Sequence, residues 1–205
     1  MVERQLARHG VQDPRVLEAM ARIPRHLFLP ASAWELAYAP QAVDIGGGQT
    51  ISQPYIVATM TQALQLSGRE SVLEIGTGSG YQGAILGWLT ELVVSIERIE
   101  SLAHGARRVL DELGLSNVHV VVGDGSAPHA VDILFDRIVV TAAAPSISPV
   151  LLDRLADPGI LVCPVGDRLL QTLHVLRRAH GRDEVDVHEA CRFVPLLGDG
   201  GFAPD

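Results

Sequence analysis

A glycine-rich loop is the first feature of the sequence that could do chemistry. The apolar run Val72–Ile75 leads into Gly76, Gly78 and Gly80, with Glu74 two positions before the first glycine. The dinucleotide fingerprint G-x-G-x-x-G would need glycine where Tyr81 stands, and no Gly-Lys-Ser/Thr follows to make a phosphate-binding P-loop. The loop is therefore not typical of either phosphate-cradling class.

Acidic residues follow two further apolar runs, and their positions suit the ligand S-adenosylmethionine. Glu97 comes after Leu92–Ile96 and can accept hydrogen bonds from both ribose hydroxyls, while Asp124 after Val118–Val122 can accept one from the adenine amino group. The small Gly125 leaves room for the flat adenine ring. A helix that begins near Tyr81 would offer partial positive charge to the methionine carboxylate. The competing interpretation is that these residues are ordinary caps and turns.

Strand and helix patterns alternate from Ser71 onward, which predicts an α/β fold. Nearly continuous apolar strands joined by helices are typical of a doubly wound, mostly parallel sheet with helices on both faces. Such sheets bind ligands at the carboxyl ends of their strands. The predicted strands are residues 72–75, 92–96, 118–122, 135–140, 160–163, 172–176 and 185–194, and the predicted helices are 81–89 and one that ends near 113.

The N-terminal third predicts helices and loops. Apolar residues at helical spacing in Val11–Ile23 indicate a helix with Asp13 as its N-cap and Pro14 in its first turn. A second helix is predicted from the Thr50–Pro54 segment to about Leu66. We expect one domain over residues 1–205, in which residues 1–66 form a helical extension and residues 67–205 the cofactor-binding sheet.

Composition disfavours several classes of partner. The formal net charge is −8, so we expect no nucleic-acid ligand. No apolar run approaches the roughly 18 residues of a membrane span, and no signal peptide is evident. The scattered histidines predict no metal site, and Cys163 and Cys191 lie in apolar runs typical of buried thiols. We expect a cytoplasmic monomer.

Several motifs, taken in order, resemble the protein-L-isoaspartate O-methyltransferase family. The resemblance covers about Arg4 to Leu197, with the motifs in family order and spacing. The matching stretches are residues 25–28, 37–38, 48–58, 72–82, 95–98, 123–125, 140–145, 164–166 and 192–196. It implies a seven-stranded Rossmann-like sheet and transfer of a methyl group from S-adenosylmethionine to the free α-carboxyl of L-isoaspartyl residues in damaged proteins.

The resemblance also implies roles for particular residues. Ser52, in the Thr-Ile-Ser segment, would be the active-site residue, and Thr50–Ser52 would close over the cofactor. Ser52, Ala142 and Val194 would contact the substrate. Together with the loop chemistry, it assigns cofactor binding to Thr50, Ile51, Ser52, Glu74, Gly76, Thr77, Gly78, Ser79, Gly80, Glu97, Arg98, Asp124 and Gly125.

The chemistry requires orientation more than proton transfer. A peptide α-carboxyl has a pKa of about 3.5, so it is already a nucleophilic carboxylate at neutral pH. Ser52 is therefore interpreted as a hydrogen-bond donor that orients this carboxylate, since no Ser-His-Asp arrangement or nucleophile elbow surrounds it. The alternative is that Ser52 only caps the helix beginning at Gln53-Pro54.

Other functions leave different signatures. Amino-methylating enzymes of this fold place Asn/Asp-Pro-Pro-Tyr after the fourth strand, whereas this chain has Ala142-Ala143-Ala144-Pro145. A non-catalytic binding module would be expected to lose Ser52 or the cofactor acids, and a dehydrogenase would need glycine instead of Tyr81. A methyltransferase acting on a different peptide or small-molecule carboxylate stays open.

Overall fold

The computed structural model of the chain describes residues 1–128 and 132–203. The strands in these ranges are β1 (Val43–Gly46), β2 (Gln49–Ile51), β3 (Ser71–Ile75), β4 (Leu92–Glu97), β5 (Val118–Val122), β6 (Phe135–Val140), β7 (Leu155–Gly166), β8 (Gln171–Ala179) and β9 (Arg182–Cys191). The α-helices are α1 (Pro14–Arg22), α2 (Pro54–Ala63), α3 (Tyr81–Leu89), α4 (Glu100–Glu112) and α5 (Pro149–Leu152). Shorter helical turns cover Val2–Leu6, Ala7–His9, Arg25–Phe28 and Ala31–Leu36.

A seven-stranded sheet forms the centre of the protein, in the order β5-β4-β3-β6-β7-β8-β9. Strands β3 to β7 are parallel, and β8 and β9 are antiparallel additions at one edge. The chain runs from β3 outward to β4 and β5, then returns to β6 on the other side of β3. This reversal leaves a crevice at the carboxyl ends of β3 and β6, where such folds bind their ligands.

Each face of the sheet is covered by its own apolar cluster. Because successive side chains of a strand point to opposite faces, Val72 belongs to one cluster and Leu73 to the other. The first cluster includes buried residues of α1, α2, α3 and α4, and the second includes Leu151 of α5. The predicted α/β sheet with helices on both faces and an N-terminal helical extension is confirmed.

The N-terminal region differs from the prediction at the Thr-Ile-Ser segment. Thr50 and Ile51 lie in β2, which pairs antiparallel with β1, instead of opening a helix. Gly47 and Gly48, with φ of +62° and +71°, form the turn of this hairpin, a backbone shape that side-chain-bearing residues rarely adopt. Helix α2 therefore begins only at Pro54, and it ends at Ala63, earlier than expected.

Candidate active site

Three adjoining cavities open at the carboxyl ends of the parallel strands. The inner cavity is lined mainly by residues 49–52, 76–79, 141–142 and 193–194, together with Glu97. A side cavity continues along residues 96–99 to Gly125. A larger outer cavity adjoins the inner one and shares five of its lining residues. Ligands of such sheets bind at this edge.

The glycine loop after β3 needs its glycines for conformation and for close approach. Gly76, Gly78 and Gly80 have φ of +97°, +54° and +91°. A Cβ atom on Gly76 would lie 2.5 Å from Oγ1 of Thr141, the hydroxyl that donates to the carbonyl of Ile75 at 2.9 Å. This contact ties the loop to the end of β6 and keeps backbone, with no side chain, at the floor of the inner cavity.

Glu97 ends β4 with its carboxylate fixed between the inner and side cavities. Its Oε2 accepts from the Gly78 amide at 2.8 Å and its Oε1 from the Ile99 amide at 2.9 Å. The residue is only 6% exposed. A carboxylate offers about four acceptor positions, so two remain for the hydroxyls of a ligand. The ribose-binding role of Glu97 stays a prediction.

Glu74 lies beneath the loop and does not line these cavities. It is fully buried, its Oε2 is 2.5 Å from Oγ of Ser95, and that hydroxyl is 2.5 Å from Oγ1 of Thr77. Burial raises the pKa of Glu74 to about 8, against the Ser95 hydrogen bond and with help from the charge of Glu97. Glu74 is therefore mostly neutral at pH 7 and supports the loop through Ser95 and Thr77, which differs from the direct contact that we predicted.

Asp124 and Gly80 also lie outside the cavity linings. The Asp124 carboxylate accepts from the amide and hydroxyl of Ser126 and from the Asp199 amide at 3.0 Å. Burial alone would raise the pKa of Asp124, but these hydrogen bonds lower it. Gly80 is the N-cap residue of α3. The adenine contact of Asp124 stays a prediction, while the neighbouring Gly125 and Arg98 do line the side cavity.

Ser52 stands where the inner and outer cavities meet. The residues that line both cavities are Thr50, Ser52, Thr141, Phe193 and Val194. We call these five residues the junction ring. The N-cap of α2 is Gln53, and no side chain makes a capping hydrogen bond there, so the interpretation of Ser52 as a helix cap is wrong.

Two of the three predicted substrate residues are in the junction ring. Val194 and Ser52 line both the inner and the outer cavity. Ala142 lines the inner and side cavities instead, whereas Thr141, the first residue after β6, is in the junction ring. The substrate contact of Ala142 stays a prediction.

Arg25 is a residue of this site that chemical reasoning from the sequence missed. It is fully buried, and its guanidinium donates to the Ser52 carbonyl at 2.7 Å and to the Ala37 carbonyl at 2.8 Å. The same group lies 4.8 Å from the ring centre of Tyr81, which lines the inner cavity. Burial lowers the pKa of Arg25 to about 10, so it stays charged. The apolar neighbours Pro24 and Leu27 were the only local signal of its burial.

The fold and these cavities define a methyltransferase that uses S-adenosylmethionine. Gly76 lines the inner cavity and has no room for a Cβ atom beside Thr141, and the fixed Glu97 carboxylate keeps acceptor positions for ligand hydroxyls. No cluster of three or more His, Cys, Asp or Glu side chains that could hold a metal ion occurs in the described ranges. No helix within those ranges is long and apolar enough to cross a membrane.

Comparison with known proteins identifies the family. The model of protein-L-isoaspartate(D-aspartate) O-methyltransferase matches residues 1–200. The protein-L-isoaspartate O-methyltransferase of Syntrophus aciditrophicus is 51% identical over 99% of this chain and 94% of its own length, and that of Methanoregula boonei is 49% identical over 98% and 93%. The chain belongs to the protein-L-isoaspartate(D-aspartate) O-methyltransferase family.

Solved structures agree with this assignment at the level of the fold. A candidate enzyme of this name from Plasmodium falciparum, in complex with S-adenosyl-L-homocysteine, superposes with a TM-score of 0.81 at 23% identity, covering 93% of this chain and 94% of that one. A second protein-L-isoaspartate O-methyltransferase superposes with a TM-score of 0.82 at 26% identity, covering 94% and 63%.

Proposed function

We propose that this chain transfers the methyl group of S-adenosylmethionine to the free α-carboxyl of L-isoaspartyl residues, with Ser52 orienting that carboxylate. The observation that carries the proposal is the junction ring, which joins the inner cavity beside the glycine loop to a larger outer cavity. S-adenosylmethionine supplies a methyl group on a positively charged sulfur. The ring is where an acceptor entering from outside would meet it.

The protein's contribution to the reaction is positioning. The acceptor carboxyl is ionised at neutral pH, since its ordinary pKa is about 3.5, so no side chain has to remove a proton. Holding two reactants in line can supply on the order of 7–11 kcal/mol of a barrier. The hydroxyls of Thr50, Ser52 and Thr141 are the donors that the junction ring offers to a carboxylate.

Buried contacts hold the backbone of Ser52 in place. Its carbonyl is held by the buried guanidinium of Arg25, and Ile51 before it is buried in the β1–β2 hairpin. Arg25 also contacts Tyr81, which lines the inner cavity. The Arg25 guanidinium therefore connects the wall of the inner cavity to Ser52 in the junction ring. A fixed backbone at Ser52 keeps its hydroxyl in one place during the transfer.

The test replaces the hydroxyl of Ser52. In Ser52→Ala, loss of a hydrogen bond to a charged group, worth roughly 1.5–3 kcal/mol, should lower the turnover of an isoaspartyl peptide about ten- to hundredfold. Cofactor affinity and melting temperature should stay near wild type, because Ser52 does not cap α2. Ser101→Ala, on the exposed side of α4, is the matched control. Wild-type turnover in Ser52→Ala would contradict the proposed role.

Cytoplasmic location and a monomeric state belong to the same proposal. Both cysteines, Cys163 and Cys191, are free and buried, which fits a reducing compartment. Light scattering coupled to size exclusion should give a mass near 22.0 kDa, and twice that mass would exclude the monomer.

A further inference from the structure

The outer cavity concentrates positive charge in a protein of net negative charge. Its lining includes Arg168 and Arg192, and every other residue of the lining is uncharged. The chain as a whole carries a formal charge of −8. A peptide that reaches the junction ring through this cavity passes two guanidinium groups and no carboxylate of the lining, so the cavity favours acidic groups on the peptide.

Arg192 stands on a backbone that neighbouring contacts hold in place. Gln171, only 1% exposed, accepts the amide hydrogen of Phe193 at 2.9 Å. The Val194 carbonyl accepts from the Ala143 amide at 2.8 Å, which anchors the segment over the end of β6. The Arg192 side chain therefore projects from a fixed point on the rim of the cavity.

Three other arginines in this part of the chain are already engaged. Arg177 pairs with Asp186, and Arg178 pairs with Asp183 across the β8–β9 hairpin. Arg168 donates to the Ala203 carbonyl and lies over the Phe202 ring. In contrast, Arg192 is exposed, and no residue in the ranges 1–128 and 132–203 forms a hydrogen bond or ion pair with its guanidinium.

We propose that Arg192 favours substrates in which an acidic side chain is next to the isoaspartyl residue. This inference rests on the proposed function. Arg192 lines the outer cavity but not the inner one, so it faces the part of the peptide beyond the reacting carboxylate. That carboxylate is held at the junction ring by Ser52, which leaves Arg192 for a flanking Asp or Glu.

The experiment compares two isoaspartyl peptides that differ only in having Glu or Gln on both sides of the isoaspartyl residue. Exposed ion pairs are worth about 0.2–1 kcal/mol, so wild-type kcat/KM should be about 1.4- to 5-fold higher for the Glu peptide. Arg192→Gln should abolish this preference and Arg192→Glu should reverse it. Arg108→Glu, on the outer side of α4, makes the same change of charge and should keep the wild-type preference.

Three results would overturn the inference in distinguishable ways. Equal kcat/KM of wild type for both peptides would remove the flanking preference and leave the methyl transfer itself intact. An equal loss for both peptides in Arg192→Gln would show that Arg192 serves the reacting carboxylate instead. Methylation of neither peptide by wild type would contradict the proposed function and this inference with it.

Discussion

Glu74 provides a test of how the glycine loop is supported, through the dependence of stability on pH. Its carboxyl is fully buried beside Ser95, and burial raises its pKa from 4.5 to about 8. The folded protein therefore holds a proton on Glu74 that the unfolded chain releases above about pH 4.5. Below that pH, Glu74 makes its full contribution to the free energy of unfolding, and this contribution is lost progressively as pH rises towards 8.

The magnitude follows from the two pKa values. A tenfold change in proton affinity corresponds to about 1.4 kcal/mol, so the shift from 4.5 to about 8 represents at most about 5 kcal/mol. Between pH 6 and pH 9 the wild type should lose about 3 kcal/mol of unfolding free energy through Glu74. Glu74→Gln keeps the shape of the side chain and cannot ionise, so it should lack this loss.

The assay is urea unfolding of both proteins at pH 6, 7, 8 and 9. Other groups that titrate in this interval are present in both, so the difference between their slopes isolates Glu74. Glu70→Gln is the control, because Glu70 is also buried but is ionised in this range. Burial disfavours its charge, yet hydrogen bonds from Ser67 and from the Gly68 amide outweigh burial and lower its pKa to about 2.

Glu70→Gln should therefore destabilise the protein without changing the slope with pH. If wild type and Glu74→Gln lost unfolding free energy in parallel from pH 6 to 9, Glu74 would be ionised throughout. That result would refute the account of a neutral carboxyl group supporting the loop through Ser95.

Three further predictions concern the cofactor side of the site. Glu97→Ala should weaken S-adenosylhomocysteine binding about ten- to hundredfold, since a hydrogen bond to a charged group is worth about 1.5–3 kcal/mol. An unchanged Kd by calorimetry would exclude a contact between Glu97 and the ribose. Gly76 has a φ of +97°, and in Gly76→Ala the new Cβ would clash with Thr141, so the Tm should fall by several degrees. The control Gly105→Ala, in α4, places its Cβ in open space and should raise the Tm slightly. Arg25→Lys should reduce kcat more than cofactor affinity, and an equal loss of both would indicate a purely structural role.

The parallel strands and the glycine loop could be predicted because their signals are local. The predicted β5 and β6 match the structure at both ends, and Asp13 caps α1 through its side chain as expected. Buried parallel strands are continuous apolar runs, and capping depends on neighbours in sequence. The β1–β2 hairpin was missed because β2 has three residues and is stabilised by pairing with another segment.

The sequence could not distinguish the acid that lines the cavity from the acid that lies beneath it. Glu74 and Glu97 both come near the end of an apolar strand. The parallel register pairs Glu74 with Ser95, so Glu74 lies two residues, roughly 7 Å, deeper in the sheet than Glu97. Register is a property of two strands together, and neither strand alone reveals it. The role of Arg25 could not be predicted for a similar reason, because its partners are distant in the chain.

Methyl transfer to two synthetic peptides, identical except for L-isoaspartate or L-aspartate at one position, tests the proposed isoaspartyl specificity. The free α-carboxyl of isoaspartate is on a short branch, whereas that of aspartate is one methylene further out, and a misplacement of about 1 Å can cost on the order of a hundredfold in rate. With radiolabelled S-adenosylmethionine, we predict label on the isoaspartyl peptide alone, released as methanol in mild alkali as expected for an ester. Equal labelling of both peptides, or label that resists alkali, would contradict the account.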